Sequence, residues 1–160
     1  MKFNELQQPV TTYHELGAQH DTLVVGCGHC SDYRTSQHAD VHEDNEYLID
    51  INSHGDFIPD LLCDVNTLPD ANPNPFQGHK FKTIFFELFG APGNFLAWLI
   101  EHHLAKEGVL ITSAPWHIDA PELNALTSSA RTGDYYIGSK SDVSVIDVSK
   151  LPKSAQYTFG

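Results

Sequence analysis

The chain has 160 residues, a length that suits one compact domain with its own core. Hydrophobic residues make up 41% and aromatics 11%, enough apolar surface to exclude disorder as the main state. Nine Lys and Arg against 21 Asp and Glu give a formal charge of −12, which speaks against a basic face gripping nucleic-acid phosphates.

In chain order, continuous apolar runs mark strands at Thr22–Val25, Tyr47–Ile51, Ile58–Cys63, Phe81–Phe86 and Val109–Thr112, the third interrupted by Pro59 and Asp60. Runs that are apolar on both faces suit a parallel sheet covered on two sides. Between the last two runs, Asn94 follows Pro92 and Gly93 as an N-cap and opens a helix that closes before Gly108. Phe95, Trp98, Leu99 and His102 form one face of it at helical spacing. An acidic first turn with Asp119, Pro121 and Glu122 predicts a second helix. Beyond Gly133, the segments Tyr135–Ser139, Val143–Val148 and Gln156–Phe159 read as short strands. The pattern predicts a doubly wound α/β fold, a mostly parallel sheet with an antiparallel edge at its C-terminal end.

The chemistry concentrates at strand ends. Leu23, Val24 and Val25 run into Gly26, Cys27 and Gly28, and a turn without Cβ atoms lets backbone approach a ligand closely. Tyr47, Leu48 and Ile49 end in Asp50, whose carboxylate can accept hydrogen bonds from ribose hydroxyls at the tip of a neighbouring strand. The third run ends at Cys63 and is followed by Asp64 and Val65, which brings another carboxylate to a strand tip.

Other motifs point elsewhere. Cys27, Gly28, His29 and Cys30 spell a CxxC dithiol, the chemistry of thiol–disulfide exchange, but Gly26 precedes it and the polar run Ser31 to Arg34 follows. A dinucleotide fingerprint would need a third glycine where Ser31 stands. His38 and His42 share a helix face at i and i+4 but have no evident third metal ligand, and His102 and His103 read as packing or helix-end residues. No apolar run approaches a membrane span, Met1 to Gln8 lacks the apolar core of a signal peptide, and three cysteines are too few for a disulfide scaffold. A soluble protein of the reducing cytoplasm is expected.

Taken together, LVVGCG, YLIDIN, PDLLCDVNTLP, FKTIFFELFG and HHLAKEGVLITSAP, spread over about residues 22 to 115, resemble the successive motifs of the class I S-adenosylmethionine-dependent methyltransferases. Val24 stands where that family often has an acid, and Cys30 where it often has a third glycine. The resemblance implies a single Rossmann-like domain over residues 1–160 that binds S-adenosylmethionine and methylates an oxygen or nitrogen of a small molecule or protein. It implies that Gly26, Cys27 and Gly28 face the methionine part, Asp50 and Ile51 hold the ribose, Asp64 and Val65 border the adenine, and Glu87 and Leu88 lie beside the methyl group, Glu87 being the candidate base. The family's signature for amino groups in DNA is absent at Phe86 to Phe89. Two alternatives stay open: a noncatalytic methyltransferase-like protein that binds a partner, and a CxxC oxidoreductase. A second copy or another subunit could cover any apolar rim.

Overall fold

The computed structural model describes residues 10–26, 45–50, 59–86, 94–112, 126, 128–132 and 135–140. Along this chain run β1 (Thr11–Thr12), β2 (Thr22–Val25), β3 (Glu46–Asp50), β4 (Leu61–Leu62), a 3-10 helix (Val65–Asp70) and β5 (Phe81–Phe86). Then come α1 (Asn94–Trp98), a π-helical turn (Leu99–His103), β6 (Leu104–Thr112), β7 (Ser128–Thr132) and β8 (Tyr135–Ser139). The eight strands form one sheet in the order β1-β4-β3-β2-β5-β6-β8-β7.

β2, β3, β4, β5 and β6 are mutually parallel, whereas β1 runs antiparallel to β4 and β8 runs antiparallel to both β6 and β7. The fold is therefore the expected Rossmann-like α/β sheet with antiparallel strands at its margins. From β2 the chain first winds outward through β3 and β4, then crosses back to place β5 on the other side of β2. That reversal puts the topological switch point between β2 and β5, the place where open α/β sheets generally bind ligands outside the carboxyl ends of their strands.

Burial explains why the apolar runs became central strands. Leu23, Val24 and Val25 are fully buried, and Leu48, Phe85 and Ile111 are buried alongside Tyr47, Ile49 and Ile84, so side chains pointing to both faces of the sheet are covered. One face packs against Leu68 of the 3-10 helix, Phe76, and Phe95, Leu96, Leu99 and Ile100 of the helical segment.

Two boundaries and one helix face differ from expectation. Among its described residues, the run Ile58–Cys63 contributes only Leu61 and Leu62 to the sheet. Pro59 has no backbone donor, and Asp60 turns its own carbonyl to the incoming amides of Tyr13 (2.8 Å) and His14 (3.2 Å). The helix stops at His103 rather than near Gly108, because Leu104 is extended and pairs with Phe81. Its face also shifts: a π turn holds one more residue than an α turn, so the inward position passes from His102, which is exposed, to His103, which is buried. Lys80 Nζ (2.8 Å) donates to the carbonyl of His102 and Lys140 Nζ (3.1 Å) to that of Leu104, serving carbonyls at the helix end. Strand β8 lies at Tyr135–Ser139 as expected, and β7 was not anticipated. The helix expected from Asp119 and the strands expected at Val143–Val148 and Gln156–Phe159 lie outside the described residues.

Candidate functional site at the carboxyl ends of the strands

Register brings the strand tips to one level. Val25 lies opposite Ile49 on one side and Phe86 on the other, and Asp50 lies opposite Leu62. Gly26 is therefore level with Asp50, beside the switch point. The Gly26 amide donates to the Ile49 carbonyl at 2.9 Å, so the glycine completes the ladder before the chain turns. Its φ of 76° is left-handed, a conformation open to glycine and strained for most other residues.

Asp50 closes β3 with only 8% of its surface exposed. A strand-end carboxylate left as a solvated terminus would be open to water; this one is largely buried. Its backbone carbonyl accepts from the Cys63 amide at 2.9 Å, which carries the pairing with β4 one residue past that strand.

Asp64 follows two residues after β4 and has a structural task of its own. Its Oδ1 accepts from the Asn66 amide at 3.0 Å and caps the 3-10 helix, while its carbonyl accepts from the Thr67 amide (3.0 Å) and hydroxyl (2.6 Å). Val65 turns into the core with 7% exposure, so its side chain packs beneath the tip. Between these acids lies Cys63, a buried thiol pushed up to about 12, first by desolvation and then by the carboxylates of Asp64 and Asp50. Both acids thus act on one thiol, which places the tips of β3 and β4 side by side, and the thiol itself is too poorly ionised for nucleophilic work.

The structure brings together Gly26, Asp50, Asp64 and Val65. Cys27, Gly28, Ile51, Glu87 and Leu88, together with Cys30, His38 and His42 of the rival readings, lie outside the described residues. Among the described residues, no group of three or more His, Cys, Asp or Glu is placed to hold a metal ion, and no helix is long and apolar enough to cross a membrane.

Sequence reasoning missed a concave region at the opposite end of the sheet, between residues 10–16 and the loop 71–77. Only the turn chemistry of Asn72-Pro73-Asn74-Pro75 hinted at structure there.

No protein-family model matches the chain, and no curated relative matches it. Among solved structures, a ribosomal protein L11 methylase from Lactobacillus delbrueckii subsp. bulgaricus is similar with a TM-score of 0.40 and 18% identity, over 73% of this chain and 66% of that one. An S-adenosyl-L-methionine methyl transferase from Silicibacter pomeroyi DSS-3 is similar with a TM-score of 0.47 and 22% identity, over 75% of this chain and 80% of that one. The chain spans just under two thirds of the length of the first. Both of these solved structures carry names of methyl-transferring enzymes.

Proposed function

We propose that the chain binds S-adenosylmethionine across the carboxyl ends of β2, β3 and β4 and transfers its methyl group to an oxygen or nitrogen of a small molecule or protein. The observation that carries this reading is the pair at the switch point: a left-handed Gly26 level with a carboxylate, Asp50, that is enclosed at the strand tip. The donor set suits an adenosyl group. Gly26 admits a ligand against bare backbone, and Asp50 offers the acceptor that a ribose diol requires.

Asp64 keeps one oxygen on the Asn66 amide, which leaves its second oxygen to accept from the adenine amino group, with Val65 beside it at the same tip. In the same reading Cys27 and Gly28 continue the glycine turn, Ile51 flanks the ribose, and Glu87 and Leu88 border the acceptor. When bound, the cofactor supplies an electrophilic methyl group on its sulfonium. The protein's part is alignment, which can contribute roughly 7–11 kcal/mol of the barrier when attack geometry is held. Glu87 is the proposed base for acceptors that must lose a proton.

Calorimetric titration with S-adenosylmethionine tests this. Saturable heat is expected, weakened at least about tenfold in Asp50→Ala by loss of charge-assisted hydrogen bonds to the ribose. No binding in the folded wild type would overturn the reading. Binding without methyl transfer to any acceptor would leave the noncatalytic partner-binding alternative.

A further inference from the structure

The concave region between residues 10–16 and the loop 71–77 is a cavity of about 460 Å³, within the size range of small-molecule sites. Tyr47, near the start of β3, and the loop 71–77, which leads towards β5, line it. It therefore lies towards the amino ends of the parallel strands, whereas Gly26 and Asp50 stand at the carboxyl ends.

Both walls are fixed by bonds that leave the cavity open. On one side the Tyr47 hydroxyl donates to the His14 carbonyl at 2.8 Å, and the Tyr13 amide donates to the Asp60 carbonyl at 2.8 Å. On the other side Phe76 is buried and stacked on Trp98, with ring centroids 5.8 Å apart. Asn74 holds the turn around it: its Oδ1 accepts from the Phe76 amide at 2.9 Å, and its carbonyl accepts from the Gln77 amide at 3.0 Å. Gln77, in the lining, takes a left-handed φ of 52°, which a non-glycine residue adopts only where its surroundings impose it. The walls are pre-organised, so a ligand would not have to order them.

Their electrostatics select the ligand. Glu15 is the one charged side chain in the lining among the described residues, and no lysine or arginine faces it. The Tyr47 hydroxyl senses the resulting field: its pKa lies well above the ordinary tyrosine value, chiefly through burial, then through the carboxylates of Asp60 and Glu15. Anionic ligands are disfavoured by that field. Leu16, Pro73 and Pro75 add apolar surface beside Glu15 that could hold a short carbon chain.

We propose that this cavity binds a small aliphatic amine, with its ammonium on the Glu15 carboxylate and its carbon chain against Leu16 and Pro73. The site is independent of the methyl-donor reading and stands or falls separately from it.

Ligand-observed NMR with three six-carbon probes tests the assignment. Hexylammonium is expected to bind saturably, with 1-hexanol weaker by about two- to fivefold and hexanoate not binding, the discrimination an exposed carboxylate can supply. Glu15→Gln, at an exposed position that does not support the core, should weaken hexylammonium by a similar factor. Asn72→Lys, also exposed, should repel it by placing a like charge in the lining. Asp50→Ala should leave it unchanged. Equal binding of the alcohol, indifference to both lining substitutions, or no saturation by hexylammonium in the folded wild type would overturn the proposal.

Discussion

Asn74 and His103 fix each other's hydrogen-bonding state. The Phe76 amide can only donate, so the Asn74 atom 2.9 Å from it must be the carbonyl oxygen. The Asn74 amide nitrogen therefore faces His103 Nε2, at 3.2 Å, and Nε2 must be the unprotonated acceptor. His103 Nδ1 then carries the proton and donates to the His79 carbonyl at 2.8 Å. The chain of contacts continues: His79 Nε2 bonds the His20 carbonyl, and His20 Nδ1 accepts from the Gly17 amide at 2.9 Å. Three segments at the amino end of the sheet, near residues 17–20, 74–79 and 103, are tied by three histidine rings.

This arrangement predicts acid sensitivity. His103 is 1% exposed, and its pKa is lowered from the ordinary histidine value, chiefly by burial; Lys80, His102 and His79 push the same way, while the bond to the His79 carbonyl opposes them. Above the unfolded value of about 6.5 both states are neutral and the full stability is present. As pH falls below that value the unfolded chain takes the proton first, and stability is lost until the depressed folded pKa has been passed. Urea midpoints measured from pH 8 to 5 should fall with acid, with a flatter profile in His103→Gln. That variant also loses about 1–3 kcal/mol at pH 8, because buried partners are left without a well-placed ring. An unchanged pH slope in His103→Gln would assign the acid response to other groups.

Asp60 completes a strand that is too short. β4 pairs with β3 only at Ile49 and Asp50, so the Leu48 amide lies beyond it, and Asp60 Oδ2 accepts from that amide at 2.7 Å. Its Oδ1 lies 2.9 Å from Nδ1 of His14, whose side chain is 70% exposed. Asp60→Ala should cost about 1–3 kcal/mol, mostly through the orphaned amide. Asp60→Asn, which keeps an acceptor oxygen, should recover most of the loss, and His14→Ala should stay within about 0.5 kcal/mol because an exposed pair contributes little. Denaturant titration of the three variants separates these effects; equal losses in Asp60→Ala and His14→Ala would show that the surface pair, not the strand amide, is the stabilising contact.

What the sequence made legible follows from periodicity. Thr22–Val25 lies at its expected bounds because residues buried on both faces leave an almost wholly apolar run, and Phe81–Phe86 does so although Lys82 is exposed, because Phe81, Ile84 and Phe85 are buried. Gly26 and Asp50 could be read as a site because each breaks such a run at its end. Leu104 falls inside the helix that the sequence predicts and belongs to the strand, because an apolar residue suits burial equally as the next residue of a helix face and as a strand partner of Phe81. The histidine chain and the cavity were invisible for a different reason. His79 meets a carbonyl 59 residues away and His14 an aspartate 46 away, and no local spacing encodes such pairs.

Two glycines should respond oppositely to alanine. Gly108 lies in β6 where the register against β5 shifts between the Phe81 and Thr83 pairings, and an added Cβ would meet the backbone oxygens of Phe81 and Lys82, both at 2.9 Å. Those atoms belong to the neighbouring strand and cannot rotate away, while the Gly108 carbonyl is itself held by the Ser139 hydroxyl at 2.7 Å on the side of β8. Gly108→Ala must therefore part β5 from β6 or distort the shift, at about 1–3 kcal/mol. Gly78 has nothing within 4 Å of an added Cβ. Gly78→Ala should be neutral or stabilise by up to about 1 kcal/mol, because it removes freedom mainly from the unfolded chain. Thermal unfolding of the two variants beside the wild type gives the comparison. Equal tolerance at both positions would mean that β6 does not pass so close to β5 at Gly108.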